Sequence, residues 1–324
     1  MSAARKIVIT TGDLDGIGLE VTAKALENIG PRKGILFLYF RGLKAPTELL
    51  HRIEKRFRVH RFTSWPEALE FIPKSSKDIV EITLAQSPAK WIESAAVACL
   101  HQKVAAMVTG PLSKPEIIRA GLQDLGHTDI LKRISSRKEA WMTFLGDKFN
   151  VLLLSGHVPV SQVEKSLTAD KVEKGLREAH RFFTALNKKP LKKPLAVLGL
   201  NPHAGDSKLI GSFDADVLTP ILEKLRGEGL LFDGPLVPDV SFLKSNWKKY
   251  SSYVACYHDQ GLIPFKMIHG FESGVHVTAG LPFVRTSVDH GTAKDLFGKD
   301  RADDRSMREA IQAALLLTEP SKKT

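Results

Sequence analysis

Cysteine is nearly absent from this chain: two residues in 324, Cys99 and Cys256, with no CxxC or other metal spacing. That excludes a cysteine-built metal site and leaves two buried structural thiols. Long apolar runs are missing as well. Val151 to Leu154 and Leu195 to Leu200 are strand-sized, against the roughly 20 residues a membrane-spanning helix needs. Met1 to Lys6 runs straight into a strand-like Ile7-Val8-Ile9 with no apolar h-region or cleavage-site pattern, so no secretory signal is expected and the cytoplasm is the expected location. Two common nucleotide signatures are also lacking. The loop Thr11-Gly12-Asp13-Leu14-Asp15-Gly16-Ile17-Gly18-Leu19-Glu20 fits neither G-x-G-x-x-G nor the P-loop. An ordinary Rossmann enzyme is therefore excluded.

Positive charge is in excess, with a formal net charge of +11. The densest basic run, Lys188-Lys189-Pro190-Leu191-Lys192-Lys193-Pro194, falls between a helical pattern and a strand, where a solvated turn explains it. No RNP, zinc-finger or helix-turn-helix signature accompanies it, so nucleic acid is not the expected partner. A positive field equally favours capture of a small anionic substrate.

What is present is an alternation of short β-rich runs with helical periodicity, the pattern of βαβ units around a mainly parallel sheet. Strands are predicted at Lys6 to Thr10, Ile35 to Phe40, Glu81 to Leu84, Ala105 to Thr109, Asn150 to Ser155, Leu195 to Leu200 and Ser252 to Tyr257. Helices are predicted at Leu19 to Asn28, Lys90 to His101 and Ala169 to Leu186, the last with Val172, Leu176, Ala179 and Phe183 on one face. With 43% hydrophobic residues, the chain is long enough for two moderate domains or one large one.

Ligands of open parallel sheets bind beyond the carboxyl ends of the strands. Three predicted strands here are followed by a histidine: Gly156-His157-Val158-Pro159, Asn201-Pro202-His203-Ala204-Gly205 and His258-Asp259-Gln260-Gly261. Imidazole is the commonest transition-metal ligand, and three with nearby carboxylates leave a position open for substrate. Each taken alone also reads as a hydrogen-bonded loop histidine. His51, His60, His101 and His180 read as solvated, and His269 and His290 stay unassigned. The glycine loop after the first strand reads equally as an anion-binding backbone or a tight strand-to-helix turn. Thr109-Gly110-Pro111-Leu112-Ser113-Lys114 and Gly126-His127-Thr128-Asp129 place hydroxyl, ammonium, imidazole and carboxylate groups that are either helix caps or site residues. Lys266, His276, Arg285, Thr286, Ser287, Asp289 and His290 crowd a glycine-rich stretch suited to a carboxylate and a phosphate, or to a surface salt-bridge cluster.

Gly12 to Glu20, Gly126-His127-Thr128, Gly199 to Gly205, Tyr257 to Lys266, and Gly280-Leu281-Pro282 through Arg285 to Ala293 together resemble the motifs of the 4-hydroxythreonine-4-phosphate dehydrogenases, in order and over nearly the whole chain. The resemblance implies an α/β fold like that of isocitrate and isopropylmalate dehydrogenases: two α/β/α domains, a central cleft, and a homodimer with shared active sites. The expected split is 1–125 plus 285–324 for the first domain and 126–284 for the second, which carries the metal-binding loops and dimer interface. It implies one divalent metal (zinc, magnesium, manganese or cobalt) on His157, His203 and His258, with Asp239 and Asp259 nearby. Substrate contacts fall on His127, Thr128, Lys266, Arg285 and the position of His276; Lys266 is the candidate for phosphate or proton handling. NAD or NADP is the implied cofactor, its binding residues unassigned. The implied reaction is oxidation of 4-phosphohydroxy-L-threonine to 2-amino-3-oxo-4-phosphobutanoate, which decarboxylates to 3-amino-2-oxopropyl phosphate, in pyridoxine 5'-phosphate biosynthesis.

The chain departs from the family pattern at Leu14, Asp15, Leu19, Asp129 and Asp206-Ser207-Lys208-Leu209, and above all at His276, where the motif has a substrate-contacting Asn. A paralogous dehydrogenase of a phosphorylated sugar acid, 4-phospho-threonate or erythronate, is the alternative reading. Behind it stand a non-catalytic metal- or nucleic-acid-binding protein and a phosphate acyltransferase of similar architecture.

Overall fold

A computed structural model describes residues 4–270 and 274–319; the ends of the first expected domain, at 1–3 and 320–324, lie outside the described residues. The strands are β1 (Arg5–Thr10), β2 (Ile35–Arg41), β3 (Arg58–Phe62), β4 (Asp78–Thr83), β5 (Ala106–Thr109), β6 (Trp141–Leu145), β7 (Val151–Leu153), β8 (Leu195–Leu198), β9 (Phe232–Leu236), β10 (Ser252–Ala255), β11 (Val275–Ala279) and β12 (Val284–Ser287), most of them rich in β-branched, aromatic or other apolar residues. The described chain divides into two compact units. One runs to Lys138 and resumes at Leu281; the other runs from Glu139 to Gly280. The helix His127–Ile134 thus belongs to the first unit, whereas the expected boundary put it in the second. Its Ile130 and Leu131 are buried, and Arg133 ties it to Glu93 (2.7 Å) and Asp124 (2.8 Å) of the same unit.

In the first unit the strand order is β3-β4-β2-β1-β5-β12, with every pair parallel. β2 is buried from Ile35 to Phe40, as a parallel strand covered by helices on both faces must be. β3, Arg-Val-His-Arg-Phe, was not legible as a strand because its charges suit an edge. The register sets Thr10 beside Thr109 and Thr109 beside Ser287. Three buried hydroxyl residues therefore end three neighbouring strands on one face.

In the second unit the order is β11-β6-β7-β10-β8-β9. β6 runs antiparallel to both of its neighbours, and β7, β10, β8 and β9 are parallel. One core cluster gathers Phe144, Phe149, Val151, Leu153, Tyr253 and Phe265. The helix Ala169–Asn187 is the amphipathic one expected, with Val172, Leu176, Ala179 and Phe183 buried and the Thr168 hydroxyl accepting from the Lys171 amide at 3.4 Å. The basic run that follows it is exposed at Lys188, Lys189, Lys192 and Lys193.

Strands β7, β8 and β10 stop two residues before their predicted ends. At β8 and β10 backbone donors find side-chain acceptors: Leu200 N–H goes to the Asp214 carboxylate at 2.6 Å and Cys256 N–H to the Gln260 side-chain oxygen at 2.7 Å. Both cysteines are buried and unbridged; the Cys256 thiol donates to the Leu198 carbonyl at 3.3 Å, and burial raises both thiol pKa values. Among the described residues no helix is long and apolar enough to cross a membrane.

Candidate functional site

β10 pairs in parallel with β7 on one side and β8 on the other, so the loops leaving their carboxyl ends emerge along one edge. His157 lies in the loop after β7, His203 in the Pro202–Lys208 segment after β8, and His258 is the first residue of the helix His258–His269 after β10. The His157 and His258 rings stand 5.2 Å apart between centroids, tilted by 48°. Asp259 Oδ1 is 2.7 Å from His258 Nδ1, which holds the N–H on that nitrogen and leaves Nε2 with its lone pair. A carboxylate behind a histidine in this way orients it and raises its basicity toward a metal.

His203 is not gathered with them. It lines a cavity of about 300 Å³ with Leu200, Pro202, Pro238, Asp239, Tyr257 and Gln260. His157, His258 and Asp259 line a second cavity of about 380 Å³, and Tyr257 borders both. Among the described residues no three His, Cys, Asp or Glu side chains stand close enough together to hold an ion. His203 opens a run in which His203, Ala204, Gly205, Asp206, Ser207 and Lys208 all have positive φ, between 41° and 83°. His157 and His258, with the Asp259 carboxylate behind one of them, make an incomplete ligand set as they stand, and the third histidine and Asp239 lie in the adjoining cavity.

Lys266 sits eight residues beyond His258 on the same helix, about 12 Å along its axis at 1.5 Å per residue. That spacing sets it apart from the histidine pair. His276 lies on β11 directly opposite Phe144 of β6, and its ring stacks on that phenyl at 5.1 Å and 17°. His269 is structural: its Nδ1–H donates to the Phe265 carbonyl at 2.9 Å and its Nε2 accepts from Lys148 N–H at 3.2 Å. Two histidines expected to be solvated are not. His60 packs on Phe71 at 4.4 Å with Asp78 at 3.1 Å, and His180 is half-buried against Phe232 at 5.9 Å. His51 and His101 are exposed.

The first unit holds the other cluster. Arg285, 1% exposed, donates to Thr109 Oγ1 from Nε at 3.1 Å and from Nη2 at 2.6 Å, and burial pushes its pKa down to about 9. His127 is beside it, with Thr128 next in the same helix. Burial, aided by the Arg285 charge, pushes the His127 pKa down to about 3 against a hydrogen bond to the Gly110 carbonyl. The imidazole is therefore neutral at working pH. Its Nε2, buried and without a hydrogen-bond partner among the described residues, is an acceptor waiting for a donor.

That depressed pKa has a signed consequence. Below pH 6.5 the unfolded chain protonates this histidine and the folded chain does not, so stability is full above about pH 6.5 and falls as pH drops toward 3. The slope is up to about 1.4 kcal/mol per pH unit. Urea unfolding of the parent and His127→Asn between pH 7 and 5 should show this part of the slope vanish in the variant; equal slopes would assign it to another group.

The glycine loop closes on neighbours that only glycine tolerates. A Cβ on Gly12, at φ 80°, would lie 1.9 Å from the Pro111 carbonyl oxygen, and one on Gly18 would lie 1.6 Å from that of Thr11. Asp13 accepts from Ser113 N–H at 2.9 Å, and Ile17 N–H donates to the Thr292 carbonyl at 3.0 Å. Around this closure Thr10 Oγ1, Ser113 Oγ and His290 Nε2 are buried with no partner among the described residues. Sequence reasoning missed Thr109 as the Arg285 acceptor, although its strand-end hydroxyl was a usable signal. It also missed Asp214, for which no local pattern exists.

Comparison with known proteins identifies the family. The family model described as pyridoxal phosphate biosynthetic protein PdxA matches residues 54–314. A 4-hydroxythreonine-4-phosphate dehydrogenase of Sulfurihydrogenibium sp. is 34% identical over 96% of this chain and 98% of its own. A D-threonate 4-phosphate dehydrogenase of Salmonella typhimurium is 33% identical over 97% and 99%. The crystal structure of the 4-hydroxythreonine-4-phosphate dehydrogenase from Klebsiella pneumoniae superposes with a TM-score of 0.79 at 29% identity, covering 99% of this chain and 100% of that one. The fold extends to an isocitrate dehydrogenase from Methylococcus capsulatus, with a TM-score of 0.52 at 15% identity over 96% of this chain and 85% of that one, as expected for the fold class. A match of this length and identity carries one conclusion: the chain belongs to the PdxA family of pyridoxal phosphate biosynthetic proteins.

Proposed function

We propose that this chain is a nicotinamide- and divalent-metal-dependent dehydrogenase of the cytoplasm that oxidises 4-phosphohydroxy-L-threonine to 2-amino-3-oxo-4-phosphobutanoate. The secondary alcohol loses a hydride from carbon and a proton from oxygen, and NAD or NADP leaves reduced. The β-keto acid then loses carbon dioxide to give 3-amino-2-oxopropyl phosphate, on the route to pyridoxine 5'-phosphate. The observation that supports this best is the set of three neighbouring parallel strands, β7, β10 and β8, each followed by a histidine.

His157, His258 and His203, with Asp239 near His203 and Asp259 behind His258, would hold the ion: zinc, cobalt, manganese or magnesium. When bound, it would supply Lewis acidity at the substrate's hydroxyl oxygen, and the nicotinamide would supply the hydride acceptor. Arg285 grips an anionic group of the substrate. The neutral His127 accepts a hydrogen bond from a substrate hydroxyl or ammonium, and Thr128 contacts the substrate beside it. Lys266 handles phosphate or a proton at the far end of its helix. The closed glycine loop with its buried polar atoms is the surface offered to the cofactor. Exposed Ile263, Met267 and Ile268 on the helix His258–His269 suit the apolar contact of a homodimer.

The second reading, a dehydrogenase of 4-phospho-threonate, is favoured by one residue. His276 presents an imidazole where the family motif has an amide, and the two substrates differ by ammonium against hydroxyl. Reduction of NAD and of NADP, followed by absorbance with each substrate and with or without a chelator, separates the readings. Chelator-sensitive preference for the amino acid supports the first; preference for the threonate supports the second; no turnover of either would sink both.

A further inference from the structure

The segment that carries His203 is held in an unusual state. Five residues with side chains, His203, Ala204, Asp206, Ser207 and Lys208, occupy the left-handed region around Gly205. Each such residue is strained by the contact of its Cβ with the backbone, and a consecutive run persists only where the surroundings fix it. Lys208 at its end pairs with Asp216 at 2.5 Å and Gln260 holds the Gly199 carbonyl at 2.6 Å, but the entry to the segment is held by one buried side chain. Asp214 is 1% exposed, and its carboxylate accepts from Leu200 N–H at 2.6 Å, Asn201 N–H at 3.1 Å and Asn201 Nδ2 at 3.0 Å. It thus clamps the two residues immediately before Pro202. The glycines of the segment are shaped around the same clamp: a Cβ on Gly199 would meet Asp214 Oδ1 at 3.1 Å, one on Gly205 would meet Asp214 Oδ2 at 3.4 Å, and one on Gly211 would meet Asn201 Nδ2 at 2.8 Å.

We propose that Asp214 is the positioning residue for His203: by holding Leu200 and Asn201 it fixes where the left-handed segment starts and so aims the imidazole. The inference rests on the reading of His203 as a metal ligand and adds to it the residue through which that ligand is placed. Asp214 binds no metal in this scheme. It is spent on three N–H groups, and removing its charge leaves those donors buried and under-satisfied. Asparagine at 214 turns an amide N–H₂ toward backbone donors on one side, so it breaks the clamp with almost no change in volume.

The test uses the full chain stripped of metal and titrated with zinc against a chromophoric chelator, for the parent, His203→Ala, Asp214→Asn and the double variant. Thermal unfolding of each metal-free form runs in parallel. Asp214→Asn is expected to weaken zinc binding about 10- to 100-fold, the usual cost of losing an orienting residue. In the His203→Ala background it should cost less than about twofold further, because it acts only through that imidazole. Zinc affinity of Asp214→Asn within about twofold of the parent, or the same loss with and without His203, overturns the proposal, whatever happens to the melting temperature. If His203→Ala binds zinc like the parent, the ligand reading fails and the positioning role with it. If His203→Ala loses zinc and Asp214→Asn keeps it, only the positioning role fails. Should Asp214→Asn not fold, Asn201→Ala removes one arm of the clamp and carries the same comparison.

Discussion

Replacing His258 with alanine is expected to remove metal-dependent turnover while leaving the fold intact. The imidazole is about one-third exposed, and its described contacts are the His157 ring and the Asp259 carboxylate, so no core packing goes with it. What goes is half of the only histidine pair at this edge found already together among the described residues. A bound ion that stabilises developing charge by several kcal/mol is worth roughly 10³-fold or more in rate, and that is the expected fall in kcat. Asp259→Asn should be milder: it removes the group that fixes the His258 tautomer and costs about 10- to 100-fold in metal affinity. Zinc add-back to chelator-treated protein, read as NADH formation and as bound metal, checks both. Chelator-sensitive turnover in His258→Ala within about tenfold of the parent, a barrier change of only ~1.4 kcal/mol, would refute the assignment.

Arg285→Met is expected to reduce kcat/KM by about a hundred- to several-thousand-fold, the roughly 3–5 kcal/mol carried by a buried, hydrogen-bonded charge contact. The side chain is enclosed in the first unit, and its Nε and one terminal nitrogen share the Thr109 hydroxyl, an arrangement that presets the plane of the guanidinium before substrate arrives. Burial that pushes its pKa down to about 9 still leaves it protonated at neutral pH. A cation kept at such desolvation cost fits an anionic substrate group. Arg285→Lys keeps the charge but not the planar fork, so it should recover only part of the loss. Steady-state kinetics with the phosphorylated substrate and its dephosphorylated form identify the anion. If Arg285 grips the phosphate, the variant's deficit disappears on the dephosphorylated compound; an equal deficit assigns the carboxylate. Parent-like kinetics for Arg285→Met on both would remove Arg285 from the site.

The parts of this fold that were legible in the sequence are those with strong local pattern. β1, β2, β5 and the helix Ala169–Asn187 fall within a residue or two of their expected positions, because each joins a buried apolar run or stripe to a clear break. β3 was hidden by edge charges. β11 and β12 were hidden because Lys266 to His290 reads as a cluster of chemistry, and its polar residues do not look like strands until His276 is seen facing Phe144 and Ser287 facing Thr109. The overreach at β8 and β10 has a shared cause: apolar or small residues continue past the point where backbone donors turn to side chains. For the site, the histidine at each strand end was visible, but that β10 inserts between β7 and β8 was not, since βαβ succession alone sets consecutive strands side by side. The placement of His203 apart from the other two was not visible. It goes with a left-handed run and a carboxylate thirteen residues from Asn201, and neither has a local signature.

The position of β10 has a kinetic consequence. β7 and β8 do not touch; each pairs with β10, which enters the chain after both. The histidines that follow the two earlier strands cannot be brought to a common edge until the last of the three has been inserted between them. Under the proposed reading, an ion bound there would be loaded onto a finished sheet and would not template it, in contrast to small zinc modules in which ligation and folding are a single event. Such a protein would be emptied and refilled with different ions without passing through the unfolded chain, and the ion it carried would be decided by what surrounds it after folding.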